Sequence, residues 1–329
     1  MYQVGIVGCG GISRVHSAVL DQLPETHLAA CADIRPERAQ AMAEKYGCHA
    51  YSSLEDMLAH EKLDAVHLCT PHYLHTPMAA LLAEKGIAVF SEKPPVISRE
   101  QWATLEEAAK KVPLGICFQS RYNPNVREAK RIIEAGEFGA VVGARAFVTW
   151  KREAPYYTES GWRGTWATEG GGALINQSIH TLDLLVQLMG APSLVEAHMS
   201  NHHLKGVIEV EDALEAYLLL GGKPALFYAS TAYTQDAPIM VEIQLEQATL
   251  RIEETWLDIR KDGQTERRDF AVPQALGKGY WGTGHLTCIR DFYHSLATGE
   301  HFQNDLESVR NTAEAMLQIY EQGKKDLIK

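Results

Sequence analysis

The first third of the chain alternates short apolar runs with segments whose apolar residues recur at helical spacing. The candidate strands are "QVGIVG", "LAACAD", "DAVHLCT", "IAVFSEK" and "LGICFQS". Helical spacing occupies the intervening residues 11 to 22, 36 to 46, 76 to 86 and 98 to 111. Strands joined by crossover helices pair in parallel, so this alternation predicts a doubly wound α/β domain with a parallel sheet.

The pattern changes after about residue 122. A helix over 124 to 136 and a strand over 141 to 151 are predicted, followed by a helix in "GGGALINQSIHTLDLL". Long strand-like runs come next, and two of them turn back through Gly221-Gly222 and Asp262-Gly263. Two-residue loops of this composition are typical of hairpins, which predicts an open, mainly antiparallel sheet.

Two helices at about 284 to 298 and 305 to 325 close the chain. A chain of 329 residues is too long for one average core. We therefore predict an α/β domain over residues 1–122 and an α+β domain over residues 123–329.

Composition excludes several classes of partner. The net charge of −11 argues against a nucleic-acid surface, which needs clustered Lys and Arg. No apolar stretch reaches the roughly 18 residues that cross a bilayer, and the first residues enter a strand without a leader pattern, so we expect a cytoplasmic protein with no membrane partner. The six cysteines form no CxxC pair and lie mostly in apolar runs, which indicates buried thiols.

"GIVGCGGIS" follows the first predicted strand and opens the first helix. Gly8, Gly10 and Ser13 occupy the G-x-G-x-x-G/A positions, where a backbone turn approaches a pyrophosphate. Asp33 stands 20 residues beyond Ser13, where a carboxylate binds the adenosine ribose. The combination predicts a Rossmann dinucleotide site, against the alternative of an ordinary glycine turn.

Asp33 would repel a 2′-phosphate, which favours NAD over NADP as the cofactor. Arg35 and Arg38 keep NADP open, because either could reach that phosphate.

"SEKPP" ends the predicted strand "IAVFSEK", at the edge of a doubly wound sheet where ligands bind. A partly desolvated Lys93, held by the stiff Pro94-Pro95 pair, could share a proton with a reacting oxygen. The alternative is a solvated lysine at a strand end.

Asn176, His180 and Asp183 are spaced by four and three residues along the glycine-led helix. At helical spacing they form one polar stripe beside an apolar stripe, which suits a shielded proton-handling group. The alternative is a core histidine satisfied by an amide and a carboxylate. The histidines at 67, 72, 75, 202 and 203 have no carboxylate or cysteine at ligand spacing, so we predict no metal site.

Several motifs together carry a resemblance to a known family. In order along the chain they are "GIVGCGGIS", Asp33, "TPHYLH", "EKP", "SRYNP", "GWRG", "GGGALINQSIHTLDLL" and "GHLTCIRDFYHSLATGE". This order and spacing resembles the glucose-fructose oxidoreductase, inositol dehydrogenase and rhizopine-catabolism (Gfo/Idh/MocA) family. The resemblance implies an N-terminal Rossmann domain and a C-terminal α/β domain whose open sheet forms homodimers or homotetramers.

The resemblance also implies roles for individual residues. Lys93 and His180 match the family's catalytic lysine and histidine. The implied substrate contacts are Asn176, Lys93, His180, Arg121 and Tyr122. The implied cofactor contacts are Gly8, Cys9, Gly10, Gly11, Ile12, Asp33, Arg35, Arg38, Thr70, Pro71, His72, His75, Glu92, Lys93, Gln119, Trp162 and Arg163.

Asn176 departs from the family pattern, since many of its dehydrogenases have aspartate there. An amide cannot accept a proton, so His180 would act as base more nearly alone, oriented by Asp183. An Asn-Gln pair here is more typical of members that act on glycosides or nucleotide-linked sugars.

We therefore expect an NAD(P)-dependent dehydrogenase acting on a small sugar, sugar derivative or cyclitol. His180 would remove the hydroxyl proton, and Lys93 would stabilise charge on the oxygen. Two alternatives stay open: a glycosidase that uses bound NAD transiently without net redox, and a non-catalytic sensor that binds a dinucleotide.

Overall fold

The computed structural model describes residues 1–253, 255–270 and 283–327, and the chain divides into two units. The first unit comprises residues 1–119 and 284–309, and the second is formed by residues 120–270 and 310–327. The division thus falls after Gln119. It assigns residues 284–309 to the first unit, whereas the sequence pattern assigned them to the second domain.

The first unit contains one six-stranded sheet. Its strands are β1 (Tyr2–Val7), β2 (Thr26–Ala32), β3 (His49–Tyr51), β4 (Ala65–Leu68), β5 (Ala88–Ser91) and β6 (Leu114–Ile116). They pair in parallel in the order β3-β2-β1-β4-β5-β6. Every residue of β4, β5 and β6 is buried, as expected when helices cover both faces of a parallel sheet. The predicted doubly wound sheet is confirmed.

Five helices connect these strands. They are α1 (Ser13–Leu20), α2 (Pro36–Tyr46), α3 (Leu54–His60), α4 (His72–Glu84) and α5 (Arg99–Ala109). The predicted bounds of α2 are confirmed, but α4 begins four residues earlier than predicted. The sequence pattern missed β3 and α3, since β3 is a three-residue edge strand without a buried residue.

The second unit contains an eight-stranded sheet and the helices that precede and cover it. Its elements are α6 (Pro124–Ala135), β7 (Val141–Thr149), α7 (Ala154–Thr158), a π-helix (Ala173–Ser178), α8 (Ile179–Met189), β8 (Pro192–Ser200), β9 (Ala213–Leu220), β10 (Lys223–Ser230), β11 (Met240–Leu245), β12 (Thr249–Glu253), β13 (Trp256–Lys261) and β14 (Gln264–Asp269). The strand order is β14-β13-β12-β11-β7-β10-β9-β8. Only the β7–β10 pair is parallel, so the predicted, mainly antiparallel sheet is confirmed.

Both predicted hairpins are confirmed, β9–β10 through Gly221-Gly222 and β13–β14 through Asp262-Gly263. Side chains alternate along β9, with every second residue buried. On the opposite face Leu194, Tyr217 and Leu226 are 37%, 42% and 46% exposed, and Tyr217 pairs directly with Leu226 across the strands. One face of the sheet therefore packs into the core while the other carries exposed apolar side chains.

The last two helices are α9 (His285–Thr298) and α10 (Leu306–Leu327). In α9, Phe292 packs on Phe90, and Tyr293 stacks on His67 with ring centroids 5.9 Å apart. These contacts explain why α9 belongs to the first unit. Among the described residues, no helix combines the length and the apolar character needed to cross a membrane. All six cysteines are buried free thiols, as predicted.

Candidate active site

The loop between β1 and α1 has the shape that the glycine motif predicts. Gly8 has φ of +88°, and a Cβ there would lie 2.5 Å from the Cys69 carbonyl oxygen, so this position requires glycine. At Gly10 and Gly11 a Cβ would meet no protein atom within 4 Å. Since nothing in the protein crowds these two glycines, the turn leaves room for the close backbone approach of a dinucleotide.

Asp33 lies directly beyond β2 and is 8% exposed. Its Oδ2 accepts a hydrogen bond from the Cys9 N–H at 2.7 Å, and its Oδ1 accepts one from the Arg35 N–H at 2.8 Å. The two bonds tie the carboxylate to the glycine turn. Each oxygen keeps a second lone pair with which it could accept a ribose hydroxyl. The structure therefore fits a dinucleotide at the position that the sequence predicts.

The loop that follows β4 is held by His75, which is 1% exposed. Its Nδ1 lies 2.9 Å from the Pro94 carbonyl oxygen and its Nε2 lies 2.9 Å from the Thr70 carbonyl oxygen. Burial lowers the pKa of His75, against the opposing effect of these carbonyls. Both ring nitrogens thus bind protein, and His75 connects the loop at Thr70 to the loop at Pro94. Its predicted cofactor contact stays a prediction.

A chain of hydrogen bonds runs through the first unit to the backbone of Lys93. His67 Nε2 lies 2.9 Å from the Tyr293 hydroxyl, and His67 Nδ1 lies 2.8 Å from His16 Nδ1. His16 Nε2 lies 2.9 Å from Glu92 Oε1, and Glu92 Oε2 accepts the Lys93 N–H at 3.3 Å. The Glu92 carboxylate, predicted as a cofactor contact, therefore faces inward and holds the loop that carries the half-buried Lys93.

The charges along this chain assign its protons. Burial alone would lower the pKa of His16, but Cys69, Cys117 and Glu92 raise it well above its ordinary value. Burial and the charge of His16 lower the pKa of His67 well below its ordinary value. Burial raises the pKa of Glu92, but the hydrogen bond and charge of His16 lower it further, so on balance it is lowered. These shifts favour the charged forms of His16 and Glu92 and the neutral form of His67.

One group of three side chains among the described residues has metal-ligand spacing. Ligand atoms of His16, Glu92 and Cys117 lie within 4.8 Å of one another, and all three residues are buried. The sequence search for metal sites did not identify this group, because its members lie far apart in the chain. Both nitrogens of His16 already take part in hydrogen bonds, to His67 and Glu92.

In the second unit, the three glycines of "EGGGALINQ" let other elements approach the start of the helix. A Cβ at Gly171 would lie 1.9 Å from the Tyr320 hydroxyl, and one at Gly172 would lie 2.1 Å from the Glu211 carbonyl oxygen. The next six residues, Ala173–Ser178, form a π-helix before α8 begins. A π-turn has i→i+5 hydrogen bonds and holds more residues per turn than an α-turn. Such turns are frequent at functional sites.

The Glu211 carboxylate satisfies the first backbone donors of this helix. It accepts hydrogen bonds from the N–H groups of Gly172 and Leu174 at 3.0 and 2.9 Å, and from the Tyr320 hydroxyl at 3.1 Å. Burial raises the pKa of Glu211 to about 7, although its backbone and tyrosine donors lower it. Glu211 therefore fixes the point at which the helix starts.

Asn176 and His180 share the partly exposed face of this helix. Between Glu169 and Val186 they are the two positions that are not buried. Both residues are thus partly accessible, and their predicted roles stay predictions. Both lie where a small molecule could reach an amide and an imidazole one turn apart.

The role predicted for Asp183, the third member of the stripe, is wrong. Its side chain is fully buried, and its carboxylate accepts hydrogen bonds from Arg121 Nε and Nη2 at 2.8 and 2.6 Å and from the Thr312 hydroxyl at 2.6 Å. The Asp183 carboxylate therefore serves a buried ion pair with Arg121 in place of the predicted contact with His180. Arg121, predicted to bind substrate, is 6% exposed.

A polar network that the sequence analysis missed lies behind Asn176. Asp236 pairs with Arg152 at 3.0 Å, and Arg152 Nε donates to Gln177 Oε1 at 2.9 Å. Gln177 Nε2 donates to the Tyr156 hydroxyl at 2.8 Å. Asn176 Nδ2 donates to the same hydroxyl at 3.3 Å and to Glu169 Oε1 at 2.5 Å. The one sequence signal for this network was Glu169, whose carboxylate directly precedes the three glycines.

The remaining predicted residues also have defined surroundings. The Arg163 guanidinium lies over the rings of Tyr156 and Trp162, with centroid distances of 4.2 and 4.9 Å. Tyr122 is buried at 3% exposure under Arg127. Arg35 and Arg38 are exposed at the start of α2, as a role beside Asp33 requires.

We expect Arg121→Leu to lower the free energy of unfolding by about 3–5 kcal/mol, because it leaves the buried Asp183 carboxylate without its cation. The matched control is Arg131→Leu, since Arg131 forms exposed ion pairs with Glu128 and Glu137 and should cost about 0–1 kcal/mol. Urea unfolding of both variants measures the difference. Equal unfolding midpoints would show that the buried pair contributes nothing beyond a surface pair.

Several known proteins are similar to this chain. D-Glucoside 3-dehydrogenase of Escherichia coli is 32% identical over 208 residues, which cover 60% of this chain and 57% of that protein. The match therefore spans little more than half of that relative's length. Inositol 2-dehydrogenase of Rhizobium meliloti is 25% identical over 310 residues, covering 92% of this chain and 86% of that protein.

A solved structure shares the architecture over nearly the whole chain. The WlbA dehydrogenase of Bordetella pertussis, in complex with NADH and UDP-GlcNAcA, superposes with a TM-score of 0.88 at 28% identity. The alignment covers 98% of this chain and 96% of that one.

Two family models match consecutive parts of the chain. The model of the oxidoreductase family with an NAD-binding Rossmann fold matches residues 2–116, and the Gfo/Idh/MocA C-terminal domain matches residues 126–251. Together they cover most of the chain and include the glycine turn, Lys93 and the helix of His180. The chain belongs to the Gfo/Idh/MocA oxidoreductase family.

Proposed function

We propose that this chain is an NAD-dependent dehydrogenase that oxidises a hydroxyl-bearing carbon of a sugar, sugar derivative or cyclitol. The observation that carries the proposal is the pairing of Asn176 with His180 on the partly exposed face of an otherwise buried helix. An imidazole in that position can take a proton from a hydroxyl that the amide binds.

The first unit supports NAD as the cofactor. The open turn at Gly10 and Gly11 would hold the pyrophosphate, and Asp33 would accept the ribose hydroxyl. Bound NAD supplies a hydride acceptor for the carbon that bears the hydroxyl. Asp33 disfavours a 2′-phosphate through charge repulsion, and NADP is the less favoured cofactor although Arg35 and Arg38 could reach that phosphate.

The two predicted catalytic residues have separate tasks. Neutral His180 accepts the hydroxyl proton as the carbon is oxidised. Lys93 donates a hydrogen bond to the same oxygen and stabilises the negative charge that develops on it. The bond from the Lys93 N–H to Glu92 fixes the backbone that presents this lysine.

The relatives support the substrate class. D-Glucoside 3-dehydrogenase and inositol 2-dehydrogenase are named for a glycoside and a cyclitol, and the WlbA dehydrogenase binds a nucleotide-linked sugar. By the family resemblance, an Asn-Gln pair at positions 176 and 177 is more typical of members that act on glycosides or nucleotide-linked sugars. Intact Lys93 and His180 argue against a non-catalytic sensor.

The outer face of the eight-stranded sheet supports self-association. Leu194, Tyr217 and Leu226 expose apolar area there, and apolar patches on a sheet face are typical of protein interfaces. We therefore propose a homodimer or homotetramer joined through this face. Six reduced, buried thiols fit the cytoplasm as its compartment.

A substrate screen tests the function. The purified chain is incubated with inositols, free hexoses, glycosides and nucleotide sugars in the presence of NAD or NADP, and absorbance of the reduced cofactor is followed. Accumulating NADH supports the dehydrogenase. Release of free sugar from a glycoside without NADH would indicate the glycosidase, and tight NAD binding without any turnover would indicate the sensor.

We expect oxidation of the sugar to rise with pH as His180 loses its proton, because only the neutral imidazole accepts one. His180→Ala should remove this dependence and lower kcat by about 10²- to 10⁴-fold. The control is His198→Ala, since His198 is an exposed histidine of the same unit that pairs with Asp326. A near-normal kcat with an unchanged pH profile in His180→Ala would return His180 to a structural role.

Asp33→Ser should narrow or reverse the preference for NAD over NADP. The substitution removes the carboxylate that repels a 2′-phosphate, so Arg35 and Arg38 can bind that phosphate. Titration of each cofactor against protein fluorescence measures both dissociation constants. Glu44→Ser, at an exposed position of α2, is the control for a general change of charge. Equal affinity of the unaltered chain for both cofactors would contradict the role of Asp33.

Replacing two apolar residues of the outer sheet face by Tyr217→Glu and Leu226→Glu should shift the chain toward monomer, because like charges would face each other across the sheet interface. Sedimentation equilibrium of the variant and the unaltered chain measures the change. An unaltered chain that is already monomeric, or an assembly that withstands both substitutions, would place the interface elsewhere or remove it.

A further inference from the structure

Both N–H donors of the Asn176 amide face the protein. Nδ2 lies 2.5 Å from Glu169 Oε1 and 3.3 Å from the Tyr156 hydroxyl. An amide group is planar, with its nitrogen and oxygen on different limbs, so this arrangement directs Oδ1 away from Glu169. The orientation of the amide decides whether position 176 offers a ligand an acceptor or a donor.

The hydrogen bonds around the Tyr156 hydroxyl do not decide which way the Asn176 amide points. The Arg152 guanidinium cannot accept a hydrogen bond, so Gln177 must present its oxygen to Arg152 and its nitrogen to Tyr156. The Tyr156 hydroxyl can itself either accept or donate, and it is compatible with either orientation of Asn176. Tyr156 therefore does not select the orientation.

Glu169 does select it. Its Oε2 accepts the Gly164 N–H at 2.6 Å, which holds the carboxylate in place, and its Oε1 faces Asn176. An ionised carboxylate only accepts, so Nδ2 must point toward it. The opposite orientation would place two acceptor oxygens in contact.

We propose that Glu169 is a positioning residue that sets the polarity of Asn176 toward the sugar. When Glu169 is ionised, Asn176 presents Oδ1 and accepts a hydrogen bond from a substrate hydroxyl. When Glu169 is protonated, it donates to Oδ1, and the amide turns its N–H groups toward the substrate instead. The proposal rests on the proposed function in one respect, namely that Asn176 binds the sugar.

The surroundings of Glu169 place this change near neutral pH. Burial raises the pKa of Glu169 to about 7, opposed by the Gly164 N–H, Asn176 and the charge of Arg163. The other ionisable groups that interact electrostatically with Glu169 are Glu211, Tyr156, Tyr157 and Tyr320. Because this pKa is raised, the proton leaves as pH rises through about 7, and the acceptor form of Asn176 prevails above that pH.

A measurement without turnover tests the orientation. The full chain is labelled with ¹⁵N-asparagine, and the side-chain signal of Asn176 is identified by its loss in Asn176→Ala. We expect that signal to shift across neutral pH in the unaltered chain and to stay constant in Glu169→Gln, whose amide has no carboxylate to titrate. A signal that does not move in the unaltered chain, or that moves equally in Glu169→Gln, overturns the proposal.

Glu211→Gln is the matched control, because burial also raises the pKa of Glu211 to about 7 but its carboxylate contacts Gly172, Leu174 and Tyr320. We expect the Asn176 signal still to titrate in this variant, at a somewhat lower pH, because the charge of Glu211 is one of the influences that raise the pKa of Glu169. Loss of the titration in Glu211→Gln together with its persistence in Glu169→Gln would assign the proton to Glu211 and overturn the proposal.

Kinetics extend the test to the substrate. In the unaltered chain KM for the sugar should rise about 2- to 12-fold as pH falls below neutral, the range expected for loss of one hydrogen bond. Glu169→Gln should show a raised KM without this dependence, and the exchange variant Glu169→Gln with Asn176→Asp should regain it, since a carboxylate and an amide again face each other. A KM profile in Glu169→Gln that matches the unaltered chain overturns the proposal. If the unaltered chain turns over no sugar, the proposed function fails, whereas the ¹⁵N titration still decides the role of Glu169.

Discussion

The second unit depends on how the Glu211 carboxylate closes the start of the glycine-led helix. The first N–H groups of any helix have no partner within it, and a buried helix start without acceptors is costly. Glu211 accepts from Gly172 and Leu174, and Tyr320 joins the same carboxylate from α10. The absence of a Cβ at Gly171 and Gly172 makes this approach sterically possible. The position of every later residue of the helix follows from that anchor.

Three buried carboxylates near this helix differ in the groups that donate hydrogen bonds to them. Glu211 binds backbone N–H groups, Asp183 binds Arg121 and Thr312, and Glu169 binds Asn176. The Arg121 cation beside Asp183 stabilises the charge of that carboxylate. Burial raises the pKa of Glu169 and of Glu211 to about 7, although the groups that donate hydrogen bonds to them lower it. The same residue type thus serves as ion-pair partner, helix anchor and proton-responsive neighbour of the exposed amide.

In the first unit, too, buried carboxylates at the ends of strands hold loops by accepting their backbone N–H groups. Asp33 is held by two backbone N–H groups, and Glu92 is held by His16 while it accepts the Lys93 N–H. In each case a buried side chain fixes a loop whose neighbouring groups stay accessible to ligand. Loops of this kind often carry binding residues, because the packed strands beneath them give a rigid support.

The sequence by itself determined the architecture and the residues that bear the chemistry. Alternation of apolar runs with helical spacing is a local signal, so it predicted five of the six parallel strands, the hairpins at Gly221-Gly222 and Asp262-Gly263, and the Rossmann turn with Asp33. It failed for β3 and α3, whose few buried residues leave no periodic pattern, and it placed the start of α4 four residues too late.

Only the tertiary structure decided which of these side chains contact one another. Helical spacing placed Asp183 in one polar stripe with His180, but its carboxylate is buried and meets Arg121, which lies 62 residues earlier in the chain. The chain from Tyr293 to Lys93 joins residues from α9, β4, α1 and the loop after β5, and the sequence carries no signal for it. Residue type and local spacing set what each group can do, whereas partners distant in the chain set its charge, its orientation and its exposure, because those properties arise from packing.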